Sequence, residues 1–177
     1  MPREFRNIGD FLKFAARLPA DAKAGAEIGV EVATLAIWKE ARSEIGVYQR
    51  DDVPGFAPWA ELADATKDDR VSQGYPANDP LLREGLLRDH IKMSTEGLLG
   101  RVGVPSAIVQ HEYEEEPLDV GDLAIWQELG TPDARFPIPG RSFLGHSAAK
   151  LKDRVVDMIA GRVVWALRGN GAPRDGY

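Results

Sequence analysis

Three ionisable residues beside a glycine turn have the types and spacing for acid–base chemistry. Glu128 and Asp133 flank the turn that begins at Gly130, and Arg141 follows in the same region. A carboxyl pair can act as general acid and general base, so this trio would suit a small hydrolase. Glu128 could instead form a charge-assisted hydrogen bond with Arg141 that stabilises the fold. Because a catalytic site normally combines several convergent features, we favour the structural interpretation.

The other residue types that carry chemistry match no known site. His111, Glu112 and Glu114 could meet a metal ion, but the run HEYEEE is more typical of a solvated acidic loop. The glycines between positions 97 and 103 suit a hairpin better than a dinucleotide site. The sequence also has no phosphate loop and no nucleophile elbow. We therefore expect no catalysis, no cofactor and no metal.

The composition predicts a single globular domain. The 177 residues include 44% hydrophobic and 28% charged side chains, no cysteine, and no apolar run that could span a membrane. A net charge of -6 argues against a face that grips nucleic acid. We expect no secretory signal and a cytoplasmic site of synthesis. Within the domain we expect a helical region at 1–54, an α+β core at 55–168 and a flexible tail at 169–177.

Hydrophobic periodicity predicts long helices towards both ends of the chain. A short helix should run from an N-cap at Asp10 to a stop at Pro19, and a longer one from Asp21 to Gly46. An alanine-rich stripe on the longer helix permits close approach of another element. The segment HSAAKLKDRVVDMIAGRVVWAL, residues 146–167, should form a second long amphipathic helix.

The middle of the chain predicts shorter elements. One short helix should begin at Pro58, and another should end at Gly130. The segment PLLREGLLRDHI is either helical throughout or changes to strand at Gly85. A β-hairpin should turn near Gly97, with SAIVQHEY, residues 106–113, as a third strand. The predicted fold class is α+β: a small antiparallel β-sheet packed with long N- and C-terminal amphipathic helices.

The loop PIPGRSFLG, residues 137–145, combines a rigid backbone with an arginine and an aromatic ring. Its two prolines restrict the backbone, so Phe143 should seat its ring in a pocket of this domain or of a partner. Phe143 and Leu144 should anchor the following helix, and Arg141 should bond a carboxylate or backbone carbonyls near the turn at Glu128. The four tryptophans lie in or beside apolar helical stripes, which predicts core packing for each.

Five stretches, taken in order, carry a resemblance to a known family. They are WAEL at 59–62 followed by Thr66, PLLREGLLRDHI at 80–91, Val102 with Gly103, IWQELGT at 125–131 and IPGRSFL at 138–144. In this order they resemble the head-tail joining and tail-completion proteins of tailed bacteriophages, which include the phage virion morphogenesis family. The resemblance covers residues 55–150. It implies an assembly motif made of Trp59, Leu82, Gly85, Leu87, Arg88, Glu128, Gly130, Thr131, Ile138, Pro139, Arg141, Phe143 and Leu144.

The resemblance implies a virion structural protein without catalysis. Such a protein forms a ring, commonly six-fold, in the neck or at the top of the tail, and helps to join the DNA-filled head to the tail. Its partners would be copies of itself and other neck proteins, such as an adaptor or stopper, a tail terminator or the tail tube. DNA would pass through the lumen without specific binding, and assembly would take place in the host cytoplasm. Two alternatives stay open: the small hydrolase, and a prophage-encoded interaction module that uses the tail ending in Tyr177.

Overall fold

Helices dominate the computed structural model, which describes residues 8–49, 52–110, 117–135 and 137–169, with side chains from residue 16 onward. The helices are α1 (Ile8–Glu44), α2 (Asp64–Ser72), α3 (Leu86–His90), α4 (Val120–Leu129), α5 (Leu144–Lys150) and α6 (Lys152–Leu167). The strands are β1 (Lys92–Glu96), β2 (Leu99–Gly103), β3 (Ile108–Val109) and β4 (Leu118–Asp119). The expected α+β class is confirmed. No helix within the described ranges is both long and apolar enough to cross a membrane.

Two compact units share these elements. The first unit combines the described residues up to Ala33 with Thr95–Gly100 and the residues from Asp153 onward. The second unit holds Thr34–Ser94 and Arg101–Lys152. All five motif stretches fall within the second unit.

Helix α1 is continuous, so the prediction of two helices separated at Pro19 is wrong. Asp10, expected as an N-cap, and Asp21, expected to begin the second helix, both lie inside it. A proline in a helix interior removes one backbone hydrogen bond and costs about 3 kcal/mol. The sequence after Pro19 is rich in alanine, the strongest helix former, and this favours continuation of the helix.

Two glycines bring α1 against α6 in the first unit. A Cβ atom on Gly25 would lie 2.7 Å from the carbonyl oxygen of Arg162, and one on Gly29 would lie 2.7 Å from Cα of Ile159. No real side chain tolerates such a distance, so glycine is required at both positions. The alanine-rich stripe predicted a close approach to this helix, but the approach of α6 that the structure shows is made at these two glycines. This packing gives α1 tertiary support beyond Pro19.

The long helix predicted over residues 146–167 is instead two helices. α5 begins earlier than expected, at Leu144, and α6 begins at Lys152. Between them Leu151 has a ψ of 0°, which departs from helical geometry. The interruption falls where the chain passes from the second unit into the first, so α5 and α6 belong to different units. Hydrophobic periodicity did not detect this change because the apolar spacing of Ala148, Leu151 and Val155 runs through the break without a gap.

The prediction of a helix from Pro58 is wrong, because α2 begins only at Asp64. The residues before α2 make tertiary contacts instead. The carbonyl oxygens of Ala60 and Glu61 accept hydrogen bonds from the guanidinium of Arg141. In a helix these carbonyls would accept from amides four residues later, so the contact with Arg141 competes with helix formation.

The strands form two separate two-stranded sheets rather than one sheet of three strands. β1 and β2 make the predicted hairpin, since only Gly97 and Leu98 connect them. The expected third strand, β3, pairs instead with β4, and Ile108 lies opposite Asp119 in an antiparallel register. Pro105 lies between β2 and β3 and has no N–H with which to continue the first ladder.

The core of the second unit joins the end of α1 to the motif stretches. Its buried members are Ala41, Ile45, Trp59, Leu87, Ile91, Ala124 and Phe143. Trp38 packs against this cluster as expected, but Trp126 is 43% exposed, so core packing is wrong for that tryptophan. Residues two positions apart on a helix point about 200° apart, and Trp126 therefore faces away from buried Ala124.

Candidate functional site

The loop at residues 130–141 is closed by backbone contacts across its neck. Gly130 has a φ of 80°, and a Cβ atom there would lie 2.7 Å from the backbone nitrogen of Gly140. The N–H of Thr131 donates to the carbonyl of Ile138 at 2.9 Å, and the N–H of Ile138 donates to Oγ1 of Thr131 at 2.9 Å. These contacts confirm a tight corner between α4 and α5. The exposed Pro139 sits on its outer side.

Glu128 fixes the start of α5. Its carboxylate accepts hydrogen bonds from the Ser142 hydroxyl at 2.6 Å and from the N–H groups of Phe143 at 2.9 Å, Leu144 at 3.0 Å and Gly145 at 2.9 Å. The first amides of a helix have no partner within the helix, so a carboxylate at this position satisfies them. Glu128 therefore caps α5 from the preceding helix.

Arg141 bonds backbone carbonyls, but not those near the turn where we predicted them. Its guanidinium donates to the carbonyl of Ala60 at 3.0 Å and to that of Glu61 at 3.4 Å, and its side chain is buried. This burial lowers the pKa of Arg141 from its ordinary value. The alternative prediction of a Glu128–Arg141 pair is wrong, because the amides of α5 occupy the carboxylate. Asp133, the third member of the proposed catalytic trio, is exposed on the turn.

The carbonyl of Ser142 ties two further segments to the corner. It accepts hydrogen bonds from Nε2 of Gln49 at 2.8 Å and from Nε1 of Trp59 at 3.3 Å. Phe143, next in sequence, is fully buried in the core, and Leu144 packs against the same core. The prediction that these two residues anchor the following helix is confirmed.

The remaining motif residues lie at the opposite edge of the same core. Gly85 has a φ of 87° and directly precedes α3, so PLLREGLLRDHI is a turn followed by a short helix, and both predicted alternatives are wrong. Leu87 is buried, and Leu82 packs against the core. The carbonyl of Arg88 accepts a hydrogen bond from Arg42 near the end of α1. The motif residues therefore hold α1, α3, α4 and α5 together.

A buried polar cluster beside the corner was missed by sequence reasoning. Nδ1 of His146 lies 2.6 Å from Oε1 of Glu44, and the two side chains are only 2% and 6% exposed. Gln49 donates to the other oxygen of Glu44. Burial raises the pKa of Glu44, and the hydrogen bond and charge of His146 lower it only in part. The two residues are 102 positions apart, so no local spacing could have revealed the pair.

Two open cavities flank the corner. A polar pocket of about 570 Å³ is lined by Glu44, Gln49, His146 and Lys150, among others. Nε2 of His146 and Oε1 of Gln49 are buried without a hydrogen-bond partner. Because Nε2 is also shielded from solvent, this pocket does not present the histidine to a ligand in the described conformation.

The second cavity, which we call the α4 groove, has a volume of about 340 Å³. Its lining includes Val104, Asp119, Asp122, Ile125, Leu129 and Leu144. Ile125 is 55% exposed and Leu129 is 73% exposed, so the groove has an apolar surface open to solvent. Neither Ile125 nor Leu129 belongs to the core cluster of the second unit.

Metal chemistry finds no support within the described ranges, where no three histidine, cysteine or acidic residues could together hold an ion. His111, Glu112 and Glu114, considered above for a metal, lie outside those ranges. Tyr177 and the rest of the C-terminal tail lie outside them too. No family model, no curated protein and no solved structure matches this chain.

Proposed function

We propose that this chain is a virion structural protein of a tailed phage, and that it forms part of the neck or tail-completion ring between the DNA-filled head and the tail. One observation carries the proposal beyond the ordered motifs of the sequence. The stretches around Trp59, Leu87 and Phe143 are distant in sequence but meet in a single core of the second unit. Residues that the resemblance groups into one motif therefore lie together in the fold, which supports the resemblance.

The hydrogen bonding of the corner also supports a structural role. Glu128 and Arg141, the charged residues with the best spacing for catalysis, spend their polar atoms on backbone groups of their own chain. Side chains used in this way position helices and loops rather than contact a substrate. The expected assembly motif thus acts by holding the shape of the second unit.

The surface of the protein suits contacts between copies. Ile125, Trp126 and Leu129 expose apolar area on α4, and exposed apolar patches commonly mark protein–protein contacts. A ring requires such a patch to meet a different patch on the next copy. A net charge of -6 would let a DNA duplex pass through the ring without being held.

The test is deletion of the gene from the phage or prophage genome that encodes the chain. We expect heads filled with DNA and separate tails, seen by negative-stain microscopy, and a loss of infectivity. Expression of the wild-type chain from a plasmid should restore tailed particles. Infectious tailed particles after deletion would contradict the proposal.

Complementation with variants sharpens the same experiment. Phe143→Ala should fail to restore tailed particles, because it removes a phenyl side chain that is fully buried in the core of the second unit. Leu98→Ala is a matched control, since Leu98 is also apolar but 60% exposed at the hairpin tip. Cryo-EM of the restored particles should then place the chain in a ring at the head–tail junction. The expected ring has six copies related by six-fold symmetry.

A further inference from the structure

The α4 groove has an unusual combination of an apolar floor and charges of one sign. Its charged lining residues are Asp119, Asp122 and Glu128, and no described lysine or arginine lines it. Hydrogen bonds from Ser106 and backbone amides lower the pKa of Asp119, so this carboxylate keeps its charge at neutral pH. A segment that binds here should therefore be apolar and basic.

The N-terminal sequence MPREFRN, residues 1–7, has this chemistry. Phe5 supplies an aromatic ring, and Arg3 and Arg6 lie on either side of it, with Glu4 as the one acidic residue. Phenylalanine and arginine are both enriched at the centre of protein–protein contacts. We propose that the α4 groove of one copy binds residues 1–7 of a second copy. This assignment rests on the ring-forming role proposed above.

Two other segments of the chain fit the groove less well. The exposed Val156 on α6 is close to Asp153 and Asp157. Residues 170–177 contain one arginine, Arg174, and one aspartate, Asp175, and so carry no net positive charge. Two α4 grooves facing each other would oppose Asp119 and Asp122 with their own copies, which like-charge repulsion disfavours.

The net charge explains why a local basic segment is needed. Two copies that each carry a charge of -6 repel one another at long range. A contact between an acidic groove and an arginine-flanked aromatic replaces part of that repulsion with attraction over a short distance. Because the groove is open to solvent, the attraction should weaken as salt screens it.

The absence of cysteine from the chain permits a direct test. Full-length Asn7→Cys protein is mixed with full-length Leu129→Cys protein, and a short bismaleimide links thiols that come close. We expect the mixed covalent dimer to form about tenfold faster than with Val71→Cys protein, a preference equivalent to about 1.4 kcal/mol. Val71 is a matched control because it is 59% exposed on the second unit, against 73% for Leu129.

The charges are tested in the same assay. Exchange of Arg3 and Arg6 for glutamate in the Asn7→Cys protein should abolish the preference, and added salt should reduce it. Equal rates at Leu129→Cys and Val71→Cys would overturn the proposal. So would cross-linking confined to a single chain in the Asn7→Cys/Leu129→Cys double variant. Tailless particles after gene deletion together with equal cross-linking rates would leave the neck role intact and remove only this contact.

Discussion

Glu128 and Glu44 both lie beside α5, but their carboxylates are held in different ways. Glu128 accepts four hydrogen bonds, three of them from the first amides of that helix and its N-cap. Glu44 is more deeply buried, has the side chains of His146 and Gln49 as its hydrogen-bond partners, and has a raised pKa.

The difference suggests separate roles for the two glutamates. Glu128 acts as a fixed connection between α4 and α5, since three of its four partners are backbone amides. Glu44 joins the last turn of α1 to α5, and because burial raises its pKa its contribution should depend on pH. Variants can be chosen that damage both connections, one of them, or neither.

Phe143→Ala should cause the largest loss, because Phe143 supports both connections. Its ring packs in the core with Ala41 and Ile45 near the end of α1 and with Ala124 of α4, the two helices that the connections join to α5. Removal of a fully buried ring should lower the free energy of unfolding by about 3–5 kcal/mol, measured by urea denaturation. Leu98→Ala, at an exposed position, should change it by less than about 0.5 kcal/mol. Equal effects of the two variants would contradict the assignment of Phe143 to the core.

Glu128→Ala should cause the next largest loss. Removal of the carboxylate leaves a hydroxyl and three amides at the start of α5 without their acceptor, at a cost of about 2–4 kcal/mol. Glu128→Gln should cost less, since one carbonyl oxygen remains to accept. The exposed Glu96→Ala is the control and should be nearly neutral. If Glu128→Ala were as mild as this control, the helix cap would not hold the corner.

The corner and the Glu44 cluster also differ in how far the sequence reveals them. Proline and glycine positions predict a rigid loop at residues 137–145, and the burial of Phe143 follows from an aromatic ring on such a loop. The partner of Arg141 could not be predicted, because the Ala60 carbonyl is 81 positions away and any exposed carbonyl could serve. A guanidinium has five donors, but its sequence position does not say where they point.

Some predicted helix ends were wrong for a related reason. The spacing of apolar residues found most of α1, the end of α4 at Gly130 and the hairpin at Gly97, since these signals are local. It failed at Pro19, where contacts of Gly25 and Gly29 with α6 support a continuous helix. Periodicity reports that a face is buried, but it does not report which distant element covers that face.

Glu44→Gln should change how the free energy of unfolding depends on pH more than it changes the free energy of unfolding itself. Between the ordinary pKa of 4.5 and the raised pKa of Glu44 in the folded state, the folded chain binds more protons than the unfolded chain. The contribution of Glu44 to the free energy of unfolding therefore falls as pH rises through that window.

The measurement is a series of urea titrations from pH 4.5 to pH 7, compared between wild type and Glu44→Gln. In wild type, Glu44 should make the free energy of unfolding fall as pH rises through this window. Glu44→Gln should lack that fall. Asp119 does not interfere, because its pKa is lowered from 3.8 and its contribution is lost only as pH falls below that value. Parallel curves for wild type and variant would contradict a raised pKa for Glu44, and Glu96→Gln should leave the wild-type slope unchanged.

Asp133→Asn should have the smallest effect, because Asp133 is exposed and belongs to neither connection. An exposed substitution on a turn should change the free energy of unfolding by less than about 0.5 kcal/mol. The same variant also tests the catalytic trio, since a working acid–base pair would need Asp133 for function while tolerating its loss for stability. In the complementation assay Asp133→Asn should restore tailed particles as well as wild type does. A stable Asp133→Asn protein that failed to restore them would show that the exposed carboxylate has a role beyond the fold, and would return Asp133 to the list of functional residues.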